Sequence, residues 1–252
     1  MIYITGDTHS DVRRLNMTNF PEQKEFENQD ENFVIVCGDF GLVWNYKEES
    51  HSEKWWLDWL EDKNFTTLFV EGNHENHLRL SEYPTKEWNG GLVHEIRPHV
   101  LHLMRGQVFN IDGCDIFTFG GARSHDIDNL LDIDDLEFSE KRKQLRKDNL
   151  FYRVKGISWW EEEMPTQEEM QIGLENLEKN NWKVDYIVTH DCAASTKALY
   201  SHGEFKTDEL NTYLEEIRCK CNFKRWFFGH LHDNKQVTDK EILIYEQIVR
   251  IW

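Results

Sequence analysis

The sequence predicts an α/β fold, and three observations point to it. Short apolar runs such as "MIYIT" and "NFVIVCGD" have the length and the β-branched content of buried strands. Stretches between such runs, for example "HSEKWWLDWLEDK", carry apolar residues at helical spacing. Acids, amides and histidines directly follow several of the apolar runs, as in "ITGDTH". Alternating strands and helices are typical of an α/β domain.

Length and charge limit the protein classes. The 252 residues predict a single domain over 1–252 with a helical insertion at about 126–181. Lys and Arg total 29 against 47 for Asp and Glu, so the formal charge is −18. Long nucleic acid is therefore not an expected partner, because its binding needs a cationic surface. A short nucleotide stays open as a ligand, since a bound metal ion can reverse the local field.

Cysteine content and hydropathy predict a reduced, cytoplasmic protein. The five cysteines form no C-x-x-C pair, and no secretory signal precedes the first strand. No apolar run approaches the roughly 20 residues that span a bilayer, so no membrane association is expected. The oligomeric state is left open by the sequence.

The first half of the chain contains most of the predicted strands. Strands are expected at "MIYIT", "NFVIVCGD" and "TTLFVEGNHE", and several short ones follow between Gly91 and Gly121. An amphipathic helix is predicted over 51–63, with Trp55, Trp56 and Trp59 packed in the core.

The second half begins with the segment 126–181. Its "KRKQLRK" run is interpreted as a solvated helix face, and Thr166 with Glu169 forms a capping box that starts a later helix. A strand at "VDYIVTHD", a helix near 207–218, a strand at "RWFFGHLHD" and one closing strand at "EILIYEQIVRIW" follow.

Polar side chains stand just beyond the carboxyl ends of five predicted strands. They are Asp7 and His9, Asp39, Asn73 and His74, His190, and His230 with His232. Ligands of open α/β sheets gather at these strand ends, so the five loops can converge on one place. Carboxylate and imidazole mixtures suit Mn, Fe and Zn, and the lack of thiolates speaks against a structural zinc cage.

These five motifs, in this order and over residues 6–232, resemble the motif set of the calcineurin-like metallophosphoesterase superfamily. The resemblance implies a four-layer αββα sandwich of two mixed β-sheets flanked by helices. It also implies two divalent metal ions at one edge, with Mn expected ahead of Fe, Zn, Ni or Co.

The resemblance also implies a role for each residue. The first metal would take Asp7, His9 and His232, and the second Asn73, His190 and His230. Asp39 would bridge both ions. A metal-bound hydroxide would attack phosphorus, and His74 would contact the phosphate or protonate the leaving group.

One motif departs from the protein phosphatases of this superfamily, which place an acid and an arginine where this chain has Leu42 and Val43. Glu75 does match their Asn-His-Glu ending. Arg123 is the best replacement for the missing cation, and His125 could reach the same substrate pocket.

The resulting prediction is a phosphoesterase, and it leans to a phosphodiesterase acting on small nucleotide-like substrates because the monoester-gripping arginine is absent. A phosphomonoesterase acting on proteins or small molecules is the alternative. A non-catalytic interaction scaffold of the same fold is the third interpretation.

Overall fold

The computed structural model describes all residues, 1–252, and contains six α-helices, four short 3₁₀ helices and fifteen strands. The helices are α1 (His51–Glu61), α2 (His77–Glu82), α3 (Phe138–Lys147), α4 (Gln167–Lys179), α5 (Ala194–Tyr200) and α6 (Glu209–Lys220). The strands are β1 (Ile2–Thr5), β2 (Phe33–Val36), β3 (Thr66–Phe69), β4 (Thr85–Trp88), β5 (Gly91–Arg97), β6 (Val100–Leu103), β7 (Gln107–Ile111), β8 (Cys114–Phe119), β9 (Leu130–Leu131), β10 (Arg153–Val154), β11 (Tyr186–Thr189), β12 (Arg225–Phe228), β13 (Lys235–Gln236), β14 (Glu241–Leu243) and β15 (Ile248–Arg250).

Two large sheets organise the fold. The first has the order β15-β1-β2-β3-β6-β5-β4, and its four strands β1, β2, β3 and β6 are parallel. The second has the order β13-β14-β12-β11-β8-β7, with β8, β11, β12 and β14 parallel. Antiparallel strands complete both, so both sheets are mixed.

Three apolar clusters show that the molecule has four layers. The cluster between the sheets joins Ile35 and Leu68 of the first sheet to Ile116 and Val188 of the second. A second cluster packs α1 on the outer face of the first sheet, and a third packs α4 and α6 on the outer face of the second. This arrangement confirms the four-layer αββα sandwich.

The closing strand is predicted wrongly as one element. The structure divides it into β14, which pairs with β12, and β15, which pairs with β1 in the other sheet. The chain therefore crosses between sheets at Ile244–Gln247, and the backbone N–H of Gly6 donates to the carbonyl of Tyr245 in that crossing, at 3.1 Å. An unbroken β pattern in the sequence gives no sign of this crossing.

The three tryptophans of α1 (Trp55, Trp56 and Trp59) are only partly packed in the core. Leu57 and Leu60 are the fully buried residues of this helix, while Trp56 and Trp59 lie partly buried at the margin of the cluster. Trp55 is 58% exposed, so its assignment to the core is wrong. The predicted helix itself is confirmed, and Ser50 and Glu53 form a capping box at its start.

The segment 126–181 contains two different parts. Its first part pairs β9 with β10 and carries α3, no residue of which is buried. Its last part is α4, which begins at the predicted capping box of Thr166 and Glu169 and contributes Met170 and Leu177 to the outer cluster. No helix in the structure is long and apolar enough to cross a membrane.

Candidate metal centre

The carboxyl ends of the parallel strands bring the five motifs together. Thr5, Val36 and Phe69 are register partners at the ends of β1, β2 and β3. The ends of β11 and β12 lie side by side in the second sheet. Each loop that follows carries one predicted motif, so the shared strand direction delivers all five motifs to one edge of the sandwich.

Four of the motif residues have a left-handed backbone. The φ angles are 44° for His9, 45° for Asp39, 66° for His230 and 48° for His232. Positive φ is uncommon outside glycine and costs free energy, so it persists only where the surrounding structure imposes it. Four of the eleven non-glycine residues with positive φ are therefore motif residues at this edge of the sandwich.

Two glycines allow the loops to approach the site side chains closely. A Cβ atom on Gly38, whose φ is 91°, would lie 2.2 Å from Nδ1 of His190. One on Gly229 would lie 2.0 Å from Oδ1 of Asp7. Any larger residue would displace these side chains, which explains the glycine before Asp39 and before His230.

The first group of predicted ligands converges in the structure. Ligand atoms of Asp7, His9, Asp39 and His232 all lie within 4.8 Å of one another. The Nε2 atoms of His9 and His232 are 2.9 Å apart, and Nε2 of His232 is 3.2 Å from Oδ2 of Asp7. Atoms that face one shared point at these distances can bind a single cation.

The second group lies on the other side of Asp39. Nε2 of His190 is 3.3 Å from Oδ1 of Asp39 and 3.3 Å from Oδ1 of Asn73. The His230 ring lies beside the His190 ring, with centroids 5.0 Å apart. Asp39 thus contacts both groups, through Oδ2 toward His9 at 3.6 Å and through Oδ1 toward His190.

Burial and charge set the protonation of this centre. Burial opposes ionisation of Asp39, but the charge of His190 beside it holds the pKa of Asp39 well below its usual range. Burial favours the neutral His190 ring, yet Asp39 raises the pKa of His190 to about 10. Burial lowers the pKa of His230 to about 4. A cation beside Asp39 would therefore replace the proton on His190.

His74 is held at the rim of the centre. Its backbone N–H donates to Oδ1 of Asp39 at 2.8 Å, and burial lowers the pKa of its ring. The indole of Trp44 stacks on that ring, with centroids 5.5 Å apart and planes 22° apart. The edge of Trp160, from the segment 126–181, packs against Trp44. The His74 ring is half-buried, and the His9 ring packs edge-on against it with centroids 5.0 Å apart.

The side chain of Glu75 connects two of the motif loops. Its buried carboxyl group accepts the backbone N–H groups of Gly41 at 3.0 Å and Gly72 at 2.5 Å, and so ties the second motif to the third. Burial and the charge of Asp39 raise its pKa to about 8. Leu42 and Val43, which stand at the phosphatase positions, are buried in the apolar cluster on the outer face of the first sheet.

The two predicted substrate contacts differ in position. Nε2 of His125 is 3.1 Å from Nε2 of His230, so His125 lies directly beside the second group. The half-exposed guanidinium of Arg123 instead pairs with Glu209 at 2.7 Å and with Asp208 at 3.5 Å. Both residues line one cavity of about 580 Å³ beside the centre, and their contact with substrate stays a prediction.

Sequence reasoning missed four residues that contact or support the side chains of the centre. Trp44 covers His74, Tyr245 stacks on His232 with centroids 4.8 Å apart, and Ser124 with Glu163 supports Asn73. Ser124 stands between the two residues singled out at this loop, and Trp44 ends the "GDFGLVW" motif. Tyr245 and Glu163 stand in no motif, so no local pattern could have found them.

The donor set fits divalent metal ions. Carboxylate, amide and imidazole donors in two adjoining groups match ions such as Mn, Fe and Zn. Two such ions would neutralise charge on a phosphoryl group and activate water. A four-layer α/β sandwich with these donors at its strand ends is the arrangement expected of a metal-dependent hydrolytic enzyme.

Comparison with known proteins identifies the family. The family model described as calcineurin-like phosphoesterase matches residues 1–234, so the chain belongs to the calcineurin-like phosphoesterase family. No curated protein matches the chain. Family and ligand cluster together support a metal-dependent phosphoesterase that uses divalent metal ions.

Proposed function

We propose that this protein is a binuclear phosphodiesterase that hydrolyses small, nucleotide-like phosphodiesters with two divalent cations, preferably Mn²⁺. The observation that carries the proposal is the position of Asp39, whose two oxygens face two ligand groups, one with His9 and one with His190. A carboxylate in this position can bridge two cations, and a pair of cations can clamp a phosphoryl group.

The charges around the centre favour a diester over a monoester. A dianionic monoester needs an additional cation, and Leu42 and Val43 supply none. Arg123 forms an ion pair with Glu209. Arg153, whose positive charge contributes to the lowered pKa of His74, forms an ion pair with Asp126 through Nε at 3.0 Å. Because both guanidinium groups have carboxylate partners, the site suits a substrate with one negative charge.

In the proposed reaction the residues of the chain have separate tasks. Asp7, His9 and His232 would hold the first cation and Asn73, His190 and His230 the second, and the two ions would supply an activated water as the nucleophile. The His74 ring, at the rim of the centre, donates a hydrogen bond to the phosphate or a proton to the leaving oxygen. His125 and Arg123, which line the adjoining cavity, are the proposed further contacts to the substrate.

Two chromogenic substrates test the proposal. With Mn²⁺ present, we expect a higher kcat/KM for bis-p-nitrophenyl phosphate than for p-nitrophenyl phosphate, and we expect a chelator to abolish both activities. Metal analysis of the purified protein should give two ions per chain. A preference for the monoester would make the protein a phosphomonoesterase. Absence of turnover with Mn, Fe, Zn, Ni and Co would favour the interpretation as a non-catalytic interaction scaffold.

A further inference from the structure

The side chain of Asn73 is held by a chain of hydrogen bonds from the segment 126–181. Its Nδ2 donates to Oγ of Ser124 at 3.2 Å. The Ser124 hydroxyl donates to Oε2 of Glu163 at 2.6 Å, and the Ser124 backbone N–H donates to Oε1 at 2.8 Å. All three side chains are buried, and Glu163 is only 1% exposed.

The direction of this chain decides which amide atom of Asn73 faces the centre. Burial raises the pKa of Glu163, and above that pKa its carboxylate only accepts hydrogen bonds, so the single hydroxyl proton of Ser124 then points to Glu163. Oγ of Ser124 then accepts, and only the NH₂ end of Asn73 can donate to it. The carbonyl oxygen therefore faces His190 Nε2, at 3.3 Å. An oxygen can bind a cation, whereas an amide NH₂ cannot.

Glu163 is itself held firmly to the sandwich. The guanidinium of Arg105 donates to the backbone carbonyls of Glu162 at 2.9 Å and Glu163 at 3.3 Å. Arg105 also pairs with Glu169 at 3.1 Å and with Glu71, the residue two before Asn73. The short turn around Glu163 is therefore fixed relative to the loop that carries Asn73.

We propose that Glu163 is a positioning residue for the second cation, acting through Ser124 to keep the carbonyl oxygen of Asn73 directed at the ion shared with His190 and Asp39. The proposal rests on the proposed binuclear function. It makes Glu163, from the segment 126–181, part of the support of the metal centre, since the Ser124 hydroxyl that Glu163 orients is the acceptor for the NH₂ end of Asn73.

Metal-binding measurements on four variants test this role. Glu163→Gln places an NH₂ group that can donate to Ser124, which lets the hydroxyl donate to Asn73 and reverse its amide. Ser124→Ala removes the acceptor for the amide, and Ser124→Thr retains it. Glu162→Gln is the matched control, because it makes the same charge change at the exposed neighbouring residue.

We expect Glu163→Gln and Ser124→Ala to bind the second Mn²⁺ about tenfold or more weakly in calorimetric titration near pH 8, with the first ion unaffected. Their electron paramagnetic resonance spectra should change from an exchange-coupled manganese pair to a mononuclear signal at limiting metal. Ser124→Thr and Glu162→Gln should behave like the parent protein.

Several results would overturn the proposal. Equal affinity for the second ion in Glu163→Gln, Ser124→Ala and the parent would exclude the positioning role, and an equal loss at both sites would show a general structural role. If Glu163→Gln fails to fold, the affinities of Ser124→Ala and Ser124→Thr for the second ion still test the positioning role. A parent protein that binds no second ion would instead contradict the proposed binuclear function.

Discussion

The indole of Trp44 stacks on the imidazole of His74, with ring centroids 5.5 Å apart. Trp44 directly follows Leu42 and Val43, the positions where related phosphatases carry polar groups. An aromatic stack, supported by Trp160, thus restricts the His74 ring in a site that lacks the orienting acid. The His9 ring packs edge-on against the same imidazole, with centroids 5.0 Å apart, so His74 is held between the aromatic stack and the first ligand group.

Removal of this stack should slow turnover without removing metal. We expect Trp44→Ala to lower kcat by about 10–100-fold, because a ring that is misplaced by about 1 Å loses much of its effect. Trp44→Phe should retain most activity, and Trp55→Ala, at an exposed tryptophan, should retain all of it. A large rise in KM with unchanged kcat would indicate that Trp44 binds substrate instead.

His74→Ala separates catalysis from metal binding. Because His74 is placed at the rim and outside both ligand groups, we expect full metal occupancy and a loss of about 10²–10⁴ in kcat. Metal analysis and steady-state kinetics on the same sample measure both quantities. Loss of metal together with activity would show that His74 is a ligand.

Asp39→Asn should affect both ions at once. The neutral amide offers one oxygen in place of two and removes the negative charge that lies between His9 and His190. We expect low occupancy of both sites after dialysis and no turnover above background. A variant that retains one ion at full occupancy would show that Asp39 serves only one site.

The loop that carries Trp44 depends on Glu53. This buried carboxylate accepts the backbone N–H groups of Trp44 at 2.6 Å, Asn45 at 2.7 Å and Ser50 at 2.7 Å, and it pairs with Arg79 at 3.1 Å. We expect Glu53→Ala to lower the free energy of unfolding by roughly 3–5 kcal/mol, since the buried Arg79 loses its partner. Glu48→Ala, at an exposed residue, is the control for urea unfolding.

The contribution of Glu53 should also depend on pH. Burial opposes its ionisation, but the three backbone N–H groups and Arg79 lower its pKa below the usual 4.5. Because the pKa of Glu53 is lower in the folded than in the unfolded protein, its ionised carboxylate stabilises the folded state fully above pH 4.5. This stabilisation is lost as the pH falls through the pKa of Glu53 in the folded protein. The stability difference between the parent and Glu53→Gln should therefore shrink in acid. A difference that grows as pH falls would contradict this assignment.

The local sequence pattern predicted the strands and helices themselves better than it predicted which strands pair and which side chains are buried. The strands before Asp39 and His190 were predicted because continuous apolar runs mark strands buried on both faces. The division of the closing segment into β14 and β15 could not be predicted, because its register with two different sheets depends on residues far along the chain. Trp55 was misplaced because helical spacing does not indicate which side of a broad apolar stripe faces the sheet.

The sequence pattern by itself determined the α/β class and the set of candidate ligands, because parallel strands place their carboxyl ends together and each motif directly follows such a strand. The four-layer sandwich followed from the resemblance that these motifs carry. Only the tertiary structure decided what supports those ligands. Glu163 reaches Ser124, and Tyr245 reaches His232, through the packing of segments that are distant in the chain. Such contacts depend on how layers and crossings assemble, and no local pattern of residue types encodes them.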